Sequence, residues 1–352
     1  MSETPPPSVS STVEYYRPLP QWVPSPPKQR YWLHLLLMLA TCFTTLVMGA
    51  RMQYNFHHDR PALSFSDEPI VDQSGQREAI PFFPAIWVRS HPARLLGGLP
   101  FMATLMLFFL AHEMGHYLYC RRYGVYATLP FFIPMPTPIG TMGAVILIRS
   151  RIRSRTALFD IGIAGPIAGF VVALAVLVVS LAWAKPMPAA LGQPDYELGD
   201  PLIFKIVYRL LASSGVIRGP AALTLGNLLF HPTTIAAWVG MLATSLNLLP
   251  GGQLDGGHII FSIAPQAHKL VSRLTILILL VMAYYLWGGW LLWAFLLWLT
   301  SFRHPQVAEW PRVSGGRLWL AVFALLMLGL TLTPAPLAHS SLPEAVRQFQ
   351  GR

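Results

Sequence analysis

FMATLMLFFLAHEMGHYLYC, residues 101–120, is the stretch that decides the fold. Its first half is apolar, and ionisable side chains then follow at His112, Glu113 and His116. On an α-helix, residues four apart lie on one face a turn apart, so both imidazoles can reach one cation. Glu113 projects about 100° around the helix from His112. From there it can approach a metal-activated water without filling a ligand position, as a general base requires. In a membrane-embedded helix each of these groups costs free energy unless it is paired or holds a metal.

Two histidines leave a site incomplete, because catalytic zinc takes three protein ligands and keeps one position open. Cys120 lies on the same helix face, but i, i+4 and i+8 spread over about 12 Å of axis, too far for one ion. It reads as a small apolar residue. The better third ligand is Asp255, in NLLPGGQLDGGH, residues 247–258. Pro250 and four glycines break an apolar run there. Irregular backbone at membrane depth is tolerated only where protein or a water-filled cavity surrounds it. A carboxylate on such a break is what a buried cation site needs.

The rest of the chain fits a membrane setting. Of 352 residues, 54% are hydrophobic and 11% charged, against about a quarter charged in soluble domains. Apolar runs fall at about 31–50, 95–119, 157–183, 233–249, 270–287, 290–302 and 317–333. They predict an all-α polytopic membrane protein of about seven transmembrane helices. TMGAVILI, residues 141–148, has strand character and predicts a small membrane-associated β element after the HExxH helix. Leu202, Ile203, Ile206, Val207, Leu210 and Leu211 at helical spacing, with Lys205 and Arg209 between, predict an interfacial amphipathic helix.

The net charge of +10 does not imply nucleic acid, because the basic residues are spread through loops between spans rather than blocked together. Residues 120–156 hold six arginines and no acid. That loop sets the orientation expected: N-terminus cytoplasmic, in a bacterial inner membrane. The lipid bilayer is then the first partner. Cys42 and Cys120 both sit in apolar runs, so a disulfide framework is not expected. Residues 1–30, rich in Pro and Ser, read as a disordered cytoplasmic tail. Residues 31–94 follow as a signal-anchor helix with an extracytoplasmic loop, and 306–352 as a last transmembrane helix and tail.

Together the two motifs resemble the site-2 protease family of intramembrane zinc metalloproteases, in which an HExxH helix is paired with a later N-x-x-P-x-x-x-L-D-G motif. Asn247, Pro250, Leu254, Asp255 and Gly256 match the second motif in register. AGPIAG, residues 164–169, and Arg303-His304-Pro305 extend the match over about residues 95–305, the expected protease core. The resemblance implies that His112, His116 and Asp255 ligate Zn2+ and that Glu113 is the catalytic base. It also implies that Asn247 hydrogen-bonds the extended substrate or its oxyanion. Residues 184–232 are too short for a PDZ domain, which is similar to the plastid and cyanobacterial branch. The expected substrates are single-span membrane proteins.

Two other classes of function compete. An ion transporter also uses broken helices with carboxylates at depth, but it predicts inverted repeats that the two halves lack. A proteolytically inactive metal-binding chaperone has no need of Glu113. Among weaker signals, Asp160 reads as a helix cap or core hydrogen-bond partner, and Gly165 with Gly169 as a close-packing pair. His258 reads either as a support to the metal ligands or as an interfacial residue.

Overall fold

The computed structural model describes residues 29–65, 70–71, 77–78, 80–188, 197–217, 225–301, 307, 312–338 and 340–350. The expected tail at 1–30 therefore lies outside the described residues except for Gln29 and Arg30, as does Arg303-His304-Pro305. The described chain is predominantly helical, as its apolar runs require. Its helices are α1 (Tyr31–His57), α2 (Ala85–Ser90), α3 (Leu95–Arg122), α4 (Arg155–Leu181), α5 (Leu202–Ser213) and α6 (Pro232–Asn247). They continue with α7 (Asp255–Ile263), α8 (Pro265–Tyr285), α9 (Trp290–Ser301), α10 (Gly316–Thr331) and α11 (Leu342–Gln350). Three antiparallel two-stranded pairs interrupt them: β1 (Ile70–Val71) with β2 (Arg77–Glu78), β3 (Phe131–Pro134) with β4 (Thr141–Val145), and β5 (Lys185–Pro186) with β6 (Leu228–Leu229).

Among the described residues, α1, α3, α4 and α8 are long and apolar enough to cross a membrane. The chain is an integral membrane protein. The other three expected spans form helices α6, α9 and α10, of 16, 12 and 16 residues. Each falls short of the roughly 20 residues that a 30 Å hydrocarbon core demands of a straight helix. The seven-span expectation thus meets four long helices and three short ones.

Helix α3 is the centre of the fold, packed against α4, α1 and α6, with α4 also covering α6 and α7. Phe101, Leu105 and Phe108 of α3 join Phe159 and Leu177 of α4 and Ala236 and Met241 of α6 in one core, all buried. Helix α1 outruns its apolar stretch and continues to His57. Its extra turns carry Arg51, which is buried and donates through Nη1 to the Pro81 carbonyl at 2.6 Å.

The β element expected after the HExxH helix is present as the β3–β4 hairpin, with Phe131 facing Val145 and Phe132 facing Ala144. Helix α1 holds it at two points. His34 Nδ1 meets the Pro130 carbonyl at 3.1 Å, and Thr44 Oγ1 donates to the Gly140 carbonyl at 2.6 Å. The expected amphipathic helix is α5, burying Ile203, Phe204 and Val207 while Lys205 and Arg209 face outward. At the start of α4, Ser154 is the cap, its hydroxyl accepting from the Ala157 N–H. Asp160 instead lies inside the helix. It receives two hydrogen bonds of 2.8 Å from Arg317 of α10 and another from the Tyr123 hydroxyl.

Candidate metal centre

His112 and His116 both point from α3 toward α4, and both are buried. Asp255 comes from the far side. The chain after α6 cannot continue as helix through Pro250 and its glycines, turns, and restarts as α7 with Asp255 in the first turn. A carboxylate there is favoured by the N-terminal end of the helix dipole. Helix α8 fixes the turn: Thr275 Oγ1 donates to the Pro250 carbonyl at 2.9 Å, and the Gly252 N–H donates to Ser272 Oγ at 3.2 Å. His268 lies 3.1 Å from the Gly252 carbonyl. Nothing in the sequence pattern pointed to these α8 side chains, because they support the backbone of the motif and lie outside it.

The result is a triangle of donor atoms. His112 Nε2 and His116 Nε2 are 3.2 Å apart, and Asp255 Oδ2 lies 3.5 Å from the first and 3.3 Å from the second. Ligands about 2.0–2.1 Å from a tetrahedral ion stand about 3.3–3.4 Å from one another. The three atoms therefore fit one such ion, and nitrogen and carboxylate oxygen are donors zinc accepts. Cys120 is not part of the group; it packs among Val125, Ala127 and Ile161.

The imidazoles are oriented by α4. His116 Nδ1 donates to the Ile161 carbonyl at 2.7 Å, which leaves its Nε2 as the metal-facing atom. The AGPIAG segment lies directly against both rings. A Cβ on Gly165 would come within 2.1 Å of His116 Nε2, and one on Gly169 within 3.1 Å of His112 Nδ1. The sequence spacing marks Gly165 and Gly169 as a packing pair; the first admits His116, the second Phe108 and His112.

Asn247, the last residue of α6, extends its side-chain amide to within 3.1 Å of His112 Nε2. Glu113 is buried beside the histidines, with its carboxylate near the Ile146 backbone just past β4. His258, one turn on from Asp255, sits with its Cβ against Gly162. All five residues singled out by the two motifs thus converge on one buried point, from α3, α6 and α7.

The chain is similar to several known proteins. The chain is 27% identical over 310 residues to "Probable zinc metalloprotease EGY1, chloroplastic" of Arabidopsis thaliana, covering 87% of this chain and 53% of that protein. It is 31% identical over 184 residues to the EGY2 counterpart from the same plant, covering 51% and 31%. The rice (Oryza sativa subsp. japonica) EGY1 counterpart is 29% identical over 230 residues, covering 65% and 37%. The chain spans about half the length of these relatives or less. The sequence profile of peptidase family M50 matches residues 100–287, more than half of the 352, and the chain belongs to that family.

Proposed function

We propose that this chain is an intramembrane zinc endopeptidase that hydrolyses peptide bonds in or near the spans of single-span membrane proteins. The observation that carries the reading is the His112–His116–Asp255 triangle, with Glu113 buried next to it. In this reading His112, His116 and Asp255 hold zinc. Bound there, zinc supplies Lewis acidity that polarises a peptide carbonyl and acidifies water.

The chain's own groups do the rest. Glu113 takes a proton from the attacking water and returns it to the amine that leaves. Asn247 turns its amide N–H toward the carbonyl oxygen of the substrate, where negative charge develops. Ile161 keeps His116 in the tautomer that presents Nε2. A helical substrate hides its peptide bonds in its own hydrogen bonds, so it must unwind first. The outer edge of β4 then offers it a strand to pair with. Leu147 N–H is committed to Thr128 Oγ1 at 3.0 Å. In an extended strand, alternate N–H groups turn to the opposite side. Ala144 and Ile146 are therefore the positions whose N–H groups point away from Thr128.

The seven-span topology belongs to the same reading, with α6, α9 and α10 crossing as short or tilted helices in a locally thinned bilayer. So does an orientation with the N-terminus and the arginine-rich loop cytoplasmic, in a bacterial inner membrane.

The test is cleavage of a single-span substrate in detergent, with metal analysis of wild type and Glu113→Gln. The reading requires about one zinc per chain in both and cleavage by wild type only. Zinc in both with no cleavage of any substrate contradicts it.

A further inference from the structure

Beside the metal centre lies a cavity of about 670 Å³ that the mechanism above leaves unused. It opens between the chain after β4 and the start of α7. One wall is the chain after β4, with Ile146, Arg149 and Arg151, backed by Leu158 of α4; the other is Gln253 and His258, on either side of Asp255. A volume of this order is typical of pockets that take a ligand, roughly 300–1,000 Å³.

The first wall is a fixed ledge. Thr128 N–H donates to the Leu147 carbonyl at 3.0 Å, Ala127 pairs with Ile148, and the Arg149 N–H donates to the Tyr126 carbonyl at 2.8 Å. Ser150 Oγ accepts from the Tyr126 N–H at 2.8 Å. One edge of this extended segment is thus bound to residues 126–128. Arg149 and Arg151 both line the cavity, and both are exposed. Among the described residues neither forms an ion pair, and no carboxylate lines the cavity. Ile146 is the link to the chemistry, because it lines the cavity and also meets the Glu113 carboxylate.

We propose that this cavity receives an extended acidic segment on the cytoplasmic flank of the substrate's span, held by Arg149 and Arg151. The proposal rests on the protease reading and adds a substrate class to it. Two guanidinium groups that form no ion pair among the described residues, in a recess walled by residues on either side of Asp255, match carboxylates on an unwound peptide. Anionic lipid headgroups share that charge. Its recessed shape and its place beside Asp255 favour a peptide over a membrane surface.

Three substrates decide it, sharing one span and differing only in the cytoplasmic flank, which carries Asp, Asn or Lys at the same positions. They are cleaved by the zinc-loaded full chain in neutral detergent without anionic lipid. The Asp-flanked substrate should exceed the Asn-flanked one in kcat/KM by roughly three- to tenfold, with the Lys-flanked one slowest. Arg149→Glu with Arg151→Glu should move the preference to the Lys flank, and Arg149→Lys with Arg151→Lys should keep the Asp flank preferred. Because each enzyme is read as a ratio, partial loss of folding does not mimic the result. Equal cleavage of all three flanks by wild type overturns the proposal and leaves the protease reading standing. Cleavage of none overturns both. A flank preference that appears only in anionic vesicles assigns the arginines to the bilayer and also overturns it.

Discussion

The side-chain amide of Asn247 reaches Nε2 of His112 at 3.1 Å across 135 residues of sequence. That contact brings the end of α6 to the metal-facing atom of α3 and gives Asn247 a position from which its N–H can serve a reacting carbonyl. Asn247→Ala should therefore leave zinc stoichiometry intact and lower kcat by about 10²–10³-fold, the cost of losing one such donor. Zinc analysis with single-turnover cleavage checks this. An equal loss of zinc would make Asn247 a support of the ligands instead.

Gly165→Ala should weaken zinc binding by about 10–100-fold or more, because its Cβ would lie 2.1 Å from His116 Nε2. Gly169→Ala, whose Cβ would meet His112 Nδ1 at 3.1 Å, should weaken it less. Competition with a chelator of known affinity measures both. Identical affinity in all three proteins would contradict the packing described.

Arg317 of α10 and Asp160 of α4 hold two parts of the helical bundle together by a bidentate pair. Arg317→Ala leaves the buried Asp160 with Tyr123 as its remaining side-chain partner among the described residues, at a cost of about 1–3 kcal/mol. Thermal unfolding in detergent should show a lowered midpoint, and Arg317→Ala with Asp160→Asn together should recover part of the loss.

His231, the N-cap of α6, accepts the Thr233 N–H at Nδ1 at 3.2 Å. Burial, and then the charges of His57 and Lys185, push its pKa down from 6.5 to about 4. Lys185 is itself paired with Asp59 at 3.0 Å. The folded state therefore binds fewer protons here than the unfolded one between pH 4 and 6.5. This contribution to stability is full above about pH 6.5 and is lost as pH falls toward 4. His231→Asn keeps a cap without titrating, so its melting temperature should change less than wild type across that window.

Ala144→Pro tests the strand edge. It removes an N–H on the side of β4 away from Thr128. Cleavage should fall by about tenfold or more, the scale of one lost substrate hydrogen bond, while zinc stays bound. Unchanged cleavage would remove β4 from the account of substrate binding.

The candidate metal site is readable from sequence because its residues sit in two short motifs with fixed spacing, HEMGH and NLLPGGQLDG. The hairpin after α3 and the amphipathic α5 were also legible, since alternation and helical period each leave a local trace. The long-range supports were not. Ile161 acts through its backbone carbonyl, which no residue type announces. Ser272 and Thr275 look like ordinary polar positions in an apolar helix until their contacts with the 250–252 turn are seen. The pairing of Asp160 with Arg317 joins helices that only the folded chain brings together. Span number is less legible, because an apolar run does not disclose where its helix stops, and α9 is a helix of only 12 residues.

The central claim is that His112, His116 and Asp255 share one zinc ion, and zinc K-edge X-ray absorption of the purified protein tests it most directly. Wild type should show a shell of nitrogen and oxygen at about 2.0–2.2 Å with the outer scattering of two imidazoles, and Asp255→Ala should change that shell. A sulfur neighbour at about 2.3 Å, or a spectrum unaffected by Asp255→Ala, would contradict it.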